Sequence, residues 1–203
     1  PTALRLLLAL VLLCPATVAA AGAAHILVVH SYSQEYQWTK AQHEGFVETL
    51  EADSRFQGVV DSEYLDTKRR AFQPVYAEGF AEHLRFKYAD YVPTAIYTTD
   101  DNALHFALQY LSEIFPGVPI FFSGVNDYGA LERIADRPVS GVFEKKEIAP
   151  NLKLLAEMGL SSREFLIIGD GSPTYRAIER EIRSELQARP EITAHFVADE
   201  GLD

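Results

Sequence analysis

The segment over 93–126 constrains the fold of this chain more than any other. A strand signal, Thr94-Ala95-Ile96-Tyr97-Thr98, runs straight into Thr99-Asp100-Asp101-Asn102. A helix is predicted over about 103–115, stopped by Pro116-Gly117, a pair that does not continue a helical turn. A second strand, Val118-Pro119-Ile120-Phe121-Phe122, ends in Ser123-Gly124-Val125-Asn126. Strands joined through one helix lie parallel, with a right-handed crossover. Both polar loops then fall on one edge of a sheet, the edge on which open α/β sheets bind their ligands.

The rest of the chain repeats this alternation. His25-Ile26-Leu27-Val28-Val29 is a continuous apolar run, as in a parallel strand buried on both faces. It opens into the polar and aromatic stretch His30-Ser31-Tyr32-Ser33-Gln34-Glu35-Tyr36-Gln37-Trp38-Thr39. Ala41, Phe46, Val47 and Leu50 mark an amphipathic helix over 39–51. Val59-Val60-Asp61-Ser62-Glu63-Tyr64-Leu65 reads as the next strand, with Asp66-Thr67-Lys68-Arg69 at its end and a long helix over 72–88 behind it. Beyond Asn126 the pattern predicts a short helix over 128–135 and a connecting strand, Val139-Ser140-Gly141-Val142-Phe143. A helix over 147–158 and another buried-strand signal, Glu164-Phe165-Leu166-Ile167-Ile168, come next. Ser172 suits a helix N-cap with Pro173 in the first turn; that helix runs to about 188, before a strand over 192–197. The expected fold class is therefore α/β, a doubly wound parallel sheet. Its first lobe spans 25–143, and 144–203 begins a second, truncated α/β lobe.

Residues 1–24 read as a signal peptide. Arg5 is their only charge, Leu6 to Cys14 is apolar, Pro15 breaks the run, and Ala19-Ala20-Ala21-Gly22-Ala23 offers small-residue cleavage sites. The apolar core is shorter than the ~20 residues of a membrane span; a signal anchor is the alternative. Cys14 is the only cysteine, so the exported chain relies on its core without disulfide support. The net charge of −11, with no Lys/Arg cluster, argues against a nucleic-acid partner, because phosphates demand basic residues.

Several motifs occur in one order: His30-Ser31-Tyr32 with Trp38-Thr39, Tyr64-Leu65-Asp66-Thr67-Lys68-Arg69, Asp100-Asp101-Asn102-Ala103, Phe115-Pro116-Gly117-Val118-Pro119 and Gly124-Val125-Asn126. Together they resemble the periplasmic-binding-protein-like group of ABC-transporter substrate-binding-type domains. Many members of that group are extracytoplasmic sensor domains of bacterial membrane histidine kinases and GGDEF-type diguanylate cyclases. The resemblance covers 26–143 well and the remainder loosely. It implies two lobes closing on a small molecule. His30, Ser31, Tyr32, Trp38, Asp100, Asp101, Asn102, Gly124 and Asn126 would line the first-lobe side, with Asp170 facing them from the second.

Each position also has a plainer reading. Asp100-Asp101-Asn102 would cap the helix it begins and favour its dipole, or present a carboxylate to a donor on the ligand. Tyr32, Tyr36 and Trp38 would stack a planar or apolar ligand, or Trp38 would plug the start of the following helix. Gly124 fits a sharp turn or a close approach of the backbone to a ligand; Asn126 fits a donor and acceptor orienting a ligand or a turn. Lys68 and Arg69 would bind a ligand carboxylate or pair with acids such as Glu63. Gly169-Asp170-Gly171 departs from the dinucleotide fingerprint at Thr174. His43-Glu44 lacks a second His at metal spacing, no Gly-x-Ser-x-Gly elbow is present, and no cofactor is implied. The expectation is a non-enzymatic sensor domain, periplasmic and held at the inner membrane by a downstream transmembrane segment or a signal anchor. It would bind a small molecule, an amino acid or another amine. A freestanding substrate-binding protein of an ABC importer is the alternative.

Overall fold

The computed structural model describes residues 23–134, 137–160 and 162–198; the expected signal peptide lies outside the described residues, apart from its last two positions. Ala24, the last of these, already pairs with Gly58 as the first residue of β1. The first lobe comprises β1 (Ala24–His30), α1 (Gln37–Ala52), β2 (Gly58–Tyr64), α2 (Pro74–Lys87), β3 (Ala95–Thr99) and α3 (Asp100–Phe106). A π-helical turn (Ala107–Leu111), α4 (Ser112–Ile114), β4 (Ile120–Val125), α5 (Ala130–Ile134) and β5 (Val139–Phe143) complete it. The strands form one sheet in the order β2-β1-β3-β4-β5, and every pairing is parallel.

Alternation along each strand divides the side chains between two layers. Leu27 and Val29 of β1, Ile96 of β3 and Ile120 and Phe122 of β4 join Ala81 and Leu84 of α2 and Leu104 and Phe106 of α3 in one buried cluster. Their neighbours in sequence point the other way, toward α1, where Phe46 stacks on Tyr97 at 4.1 Å and His43 meets His30. At roughly 1.5–3 kcal/mol for each fully buried aliphatic or aromatic side chain, the α2–α3 face dominates the stability of this lobe.

Some boundaries differ from the expectation, for identifiable reasons. α2 starts at Pro74 rather than near 72, because a residue before proline is pushed to extended backbone; Gln73 sits at φ −107°, ψ 153°. The helix expected over 103–115 begins at Asp100 and contains the π turn. Arg137 Nη1 donates to Leu108 O in that turn at 2.6 Å, a bond from a distant residue that local sequence does not show. β5, expected as a connector, is the fifth strand of the sheet.

The second lobe holds α6 (Ile148–Glu157), β6 (Glu164–Gly169), α7 (Pro173–Leu186) and β7 (Thr193–Ala198). β6 and β7 form a separate parallel pair. Phe165 and Ile167 face Leu152 and Leu155 of α6 and Ile182 and Leu186 of α7 across an apolar groove. Ser172 caps α7, accepting from Tyr175 N at 3.0 Å, with Pro in the first turn. The Tyr175 ring packs onto Gly169 so closely that a Cβ there would fall 1.9 Å from it.

Candidate functional site: the rim at the carboxyl ends of the strands

The strand order reverses between β1 and β3. Connections from these two strands leave in opposite directions, opening a crevice at their carboxyl ends. The residues delivered there are Ser31 and Tyr32 after β1, and Asp100, Asp101 and Asn102 at the start of α3.

The four loops of this rim are stitched together around the first turn of α3. Ser31 Oγ donates to Thr99 O at 2.8 Å and accepts from Ala103 N at 2.8 Å. A hydroxyl from the loop after β1 therefore satisfies the helix N-terminus, and Asp100 and Asp101 do not cap their own helix. Asn102 Nδ2 donates to Thr67 Oγ1 at 2.9 Å, and Thr67 Oγ1 donates to Ser31 O at 2.9 Å. Asp101 Oδ1 accepts from Asn126 N and Asp127 N at 2.9 and 2.8 Å, tying in the loop after β4. Its Oδ2 accepts from Thr174 Oγ1 of α7 at 3.1 Å. One carboxylate thus joins the first lobe to the second.

A cleft of about 850 Å³ lies beside this junction, within the size range of small-ligand sites. Tyr32, Thr67, Lys68 and Asn102 line it from the first lobe and Asp170, Ser172, Thr174 and Arg176 from the second. Lys68 Nζ stands 4.7 Å from the Tyr32 ring centre and 5.0 Å from that of Tyr36, a cation–π arrangement. The Tyr32 hydroxyl is held well above its usual range by burial and by the nearby Asp100 charge. The Asp170 carboxyl is lowered, mainly by its hydrogen bond with Ser172 and further by Lys68.

Asp100 is buried in the rim. Its backbone is left-handed, φ +65°, a conformation aspartate tolerates better than most residues. Its side chain is pushed up to about 7, first by burial and then by the Asp101 and Glu144 charges, against the opposing hydrogen bonds of Trp38 and Thr99. Trp38 Nε1 donates to Asp100 Oδ1 at 3.0 Å. Gly124, φ +69°, passes close by: a Cβ there would lie 3.3 Å from Asp100 Oδ1 and 3.1 Å from Gln42 Nε2. Gly124 lies within β4, where the pairing with β5 shifts register between Phe122 and Val125.

Of the residues singled out from the sequence, Tyr32, Asn102 and Asp170 line the cleft. Trp38, Asp100, Asp101, Gly124 and Asn126 form the adjoining hydrogen-bonded rim. His30 and Ser31 are 0% exposed and lie beneath it. His30 Nδ1 meets Thr99 Oγ1 at 2.9 Å and Nε2 meets His43 Nδ1 at 3.1 Å, so both serve the frame instead of facing the cleft. Lys68 does not pair with Glu63, which is held by Lys87 Nζ at 2.5 Å and Tyr88 at 2.7 Å. Thr67, Thr174, Arg176 and Gln42 were not foreseen. Thr67 lay within a motif already noted, whereas nothing local marks the other three.

No family model and no curated protein matches the chain. Solved structures do share its fold. A conserved domain protein from Vibrio cholerae O1 biovar El Tor matches with TM-score 0.64 at 13% identity, covering 87% of this chain and 57% of that one. An ABC domain from Streptococcus pneumoniae, solved in complex with L-Trp, matches with TM-score 0.61 at 12% identity, with coverage of 87% and 57%. The ligand-free, open structure of a substrate binding protein with adhesive properties from Clostridium difficile matches with TM-score 0.56 at 13% identity, with coverage of 87% and 58%. The chain spans 57–58% of the length of these proteins. At such identity the likeness is one of architecture: the chain shares the periplasmic-binding-protein-like α/β fold of these structures.

Proposed function

We propose that this chain binds a small molecule between its lobes, without turnover, as the extracytoplasmic input domain of a bacterial membrane signalling protein of the histidine kinase or diguanylate cyclase type. The observation that carries the binding reading is the cleft at the strand-order reversal, lined from both lobes and bounded by the Asp101–Thr174 bridge. A ligand held there would bias the spacing of the lobes by its differential affinity for the closed form. The sensor context rests on the ordered motifs from His30 to Asn126.

A specific observation favours a second reading. Two of the structural neighbours are a substrate binding protein and an ABC domain solved with L-Trp, which supports a solute-delivery component of an ABC importer. The same cleft would serve either role. The surrounding coding region separates them: a transmembrane helix with kinase or cyclase motifs in the same reading frame supports the sensor, and a neighbouring permease and ATPase support the importer.

Binding itself is tested by a thermal-shift screen of the full-length protein against a metabolite library. A binder raises the melting temperature by mass action, and Asn102→Ala or Lys68→Ala should reduce that rise. A screen in which no metabolite stabilises the protein, or in which both variants respond like the parent, overturns the cleft assignment.

A further inference from the structure

The solvent side of α2 carries an apolar stripe that the fold does not use. The core face of this helix is Ala77, Ala81 and Leu84, continued by Tyr88 just beyond its end. Val75, Gly79 and Phe86 fall on the opposite side, within an arc of about 40° at the helical turn angle. Phe86 is 84% exposed and Val75 79%, the two highest values among the large apolar side chains described. Gly79 stands between them. Glycine inside a helix is less favourable than alanine, yet a Cβ at Gly79 would meet nothing within 4 Å. The packing of this chain alone therefore gives no reason for a glycine there.

A groove of about 700 Å³ runs alongside, lined by Val75, Tyr76, Gly79 and Phe80 of α2 and by Arg70 of the preceding loop. The protruding ring and the groove belong to one helix, so the surface that matches this groove is the same helix turned end for end. Val75, Tyr76 and Gly79 are three corners of the kind of hole that receives a knob from a facing helix.

We propose that α2 is a self-association surface, on which two copies of the chain pack helix against helix, antiparallel, about a two-fold axis between Phe80 and Ala81. In that register Phe86 of each copy stands opposite Val75 of the other and enters the groove, and Gly79 lets the two backbones approach where they cross. The contact is isologous, the same patch serving both copies. Charge fits this orientation. Glu78 and Arg85 are exposed on one flank of the stripe, and antiparallel packing brings that flank against itself in reverse order. Arg85 of one copy then lies within a turn of Glu78 of the other, twice over, while it also reaches Glu82 on its own helix. Parallel packing would stack Phe86 on Phe86 and leave the groove empty. Each copy carries a net charge of −11, which opposes association, and one helix pair is a small contact. The dimer is therefore weak and reversible. It is independent of what the cleft binds.

Sedimentation equilibrium of the full chain from about 1 μM to about 1 mM should show a monomer–dimer equilibrium, the mass approaching two chains at the top of the range. Phe86→Lys should weaken association about ten-fold or more by removing the buried aromatic. Gly79→Leu fills the socket and should weaken it comparably. Both positions are open in the single chain, so circular dichroism should show parental folding. Glu78→Arg and Arg85→Glu should each weaken the dimer several-fold, and the two combined in one chain should restore it, because opposite charges then meet again. A monomer at every concentration overturns the proposal, as does a dimer of parental strength in Phe86→Lys and Gly79→Leu. A double charge reversal no tighter than the single changes overturns it too, and so do masses beyond two chains, since a two-fold contact closes at two. None of these four residues lines the cleft. A metabolite screen without binders therefore removes the cleft reading and leaves this one standing, and loss of the dimer with parental ligand responses does the reverse.

Discussion

In the first lobe, β1 carries Leu27, Val28 and Val29 at 0% exposure, with α1 on one face of the sheet and α2 and α3 on the other. In the second lobe, β6 carries the equally apolar Phe165, Leu166, Ile167 and Ile168, yet only alternate residues turn inward. Phe165 and Ile167 meet the helices, while Leu166 and Ile168 stand 61% and 72% exposed, with Val197 of β7 at 48% on the neighbouring strand. Two strands of nearly the same composition thus have different surroundings. Among the described residues β6 is buried on one face only. An apolar run supplies the potential for burial, but its extent depends on how many layers cover the sheet. Among the described residues, helices cover one face of the β6–β7 pair.

The largest test of this contrast is Leu104→Ala in the first lobe against Ile168→Thr in the second. Removing a fully enclosed leucine side chain should cost about 3 kcal/mol through lost burial and the cavity left behind. The exposed isoleucine change should stay within about 0.5 kcal/mol. Urea unfolding followed by circular dichroism measures both, and equal losses would break the comparison.

Acid sensitivity sharpens it next. Burial, with the neighbouring His43 adding to it, holds His30 down to about 3, below its ordinary 6.5 in the unfolded chain. A base whose folded pKa is depressed favours the unfolded state once that state takes up the proton. The contribution is therefore complete above pH 6.5 and is lost as pH falls from there toward 3. By pH 4.5 the loss should reach about 2–3 kcal/mol. Urea midpoints for the parent and for His30→Gln across pH 7 to 4.5 should converge as pH falls; a constant gap would contradict the neutral, enclosed imidazole.

Gly124→Ala should have a smaller effect, about 1–2 kcal/mol, from forcing a Cβ into left-handed backbone beside Gln42 and Asp100. The same unfolding assay applies, and Trp38 emission should shift because Asp100 is displaced. A variant with parental stability and emission would show that the rim tolerates movement there.

Much of this architecture was legible in the chain. Buried-strand runs, the Pro116-Gly117 stop and the Ser172-Pro173 helix start are local signals, and local steric and capping rules act on them directly. They led to parallel strands and to four loops on one rim, and Tyr32, Asn102 and Asp170 do meet across a cleft. Harder to read were residues whose neighbours are remote in sequence. Ser31 looked like a ligand contact and instead caps α3, 72 residues away. Asp101 looked like the cap of its own helix and instead holds the loop after β4 and the start of α7.

The sequence by itself determined which segments become strands and helices and, through the crossover rule, which ends of the strands share an edge. These follow from backbone sterics and hydrophobic period, which depend on near neighbours. Tertiary structure decided which polar groups at that edge serve the frame and which line the cleft. A hydrogen bond forms only when two groups arrive within about 3 Å at a suitable angle, and loops brought together from distant parts of the chain meet that condition only in the folded molecule.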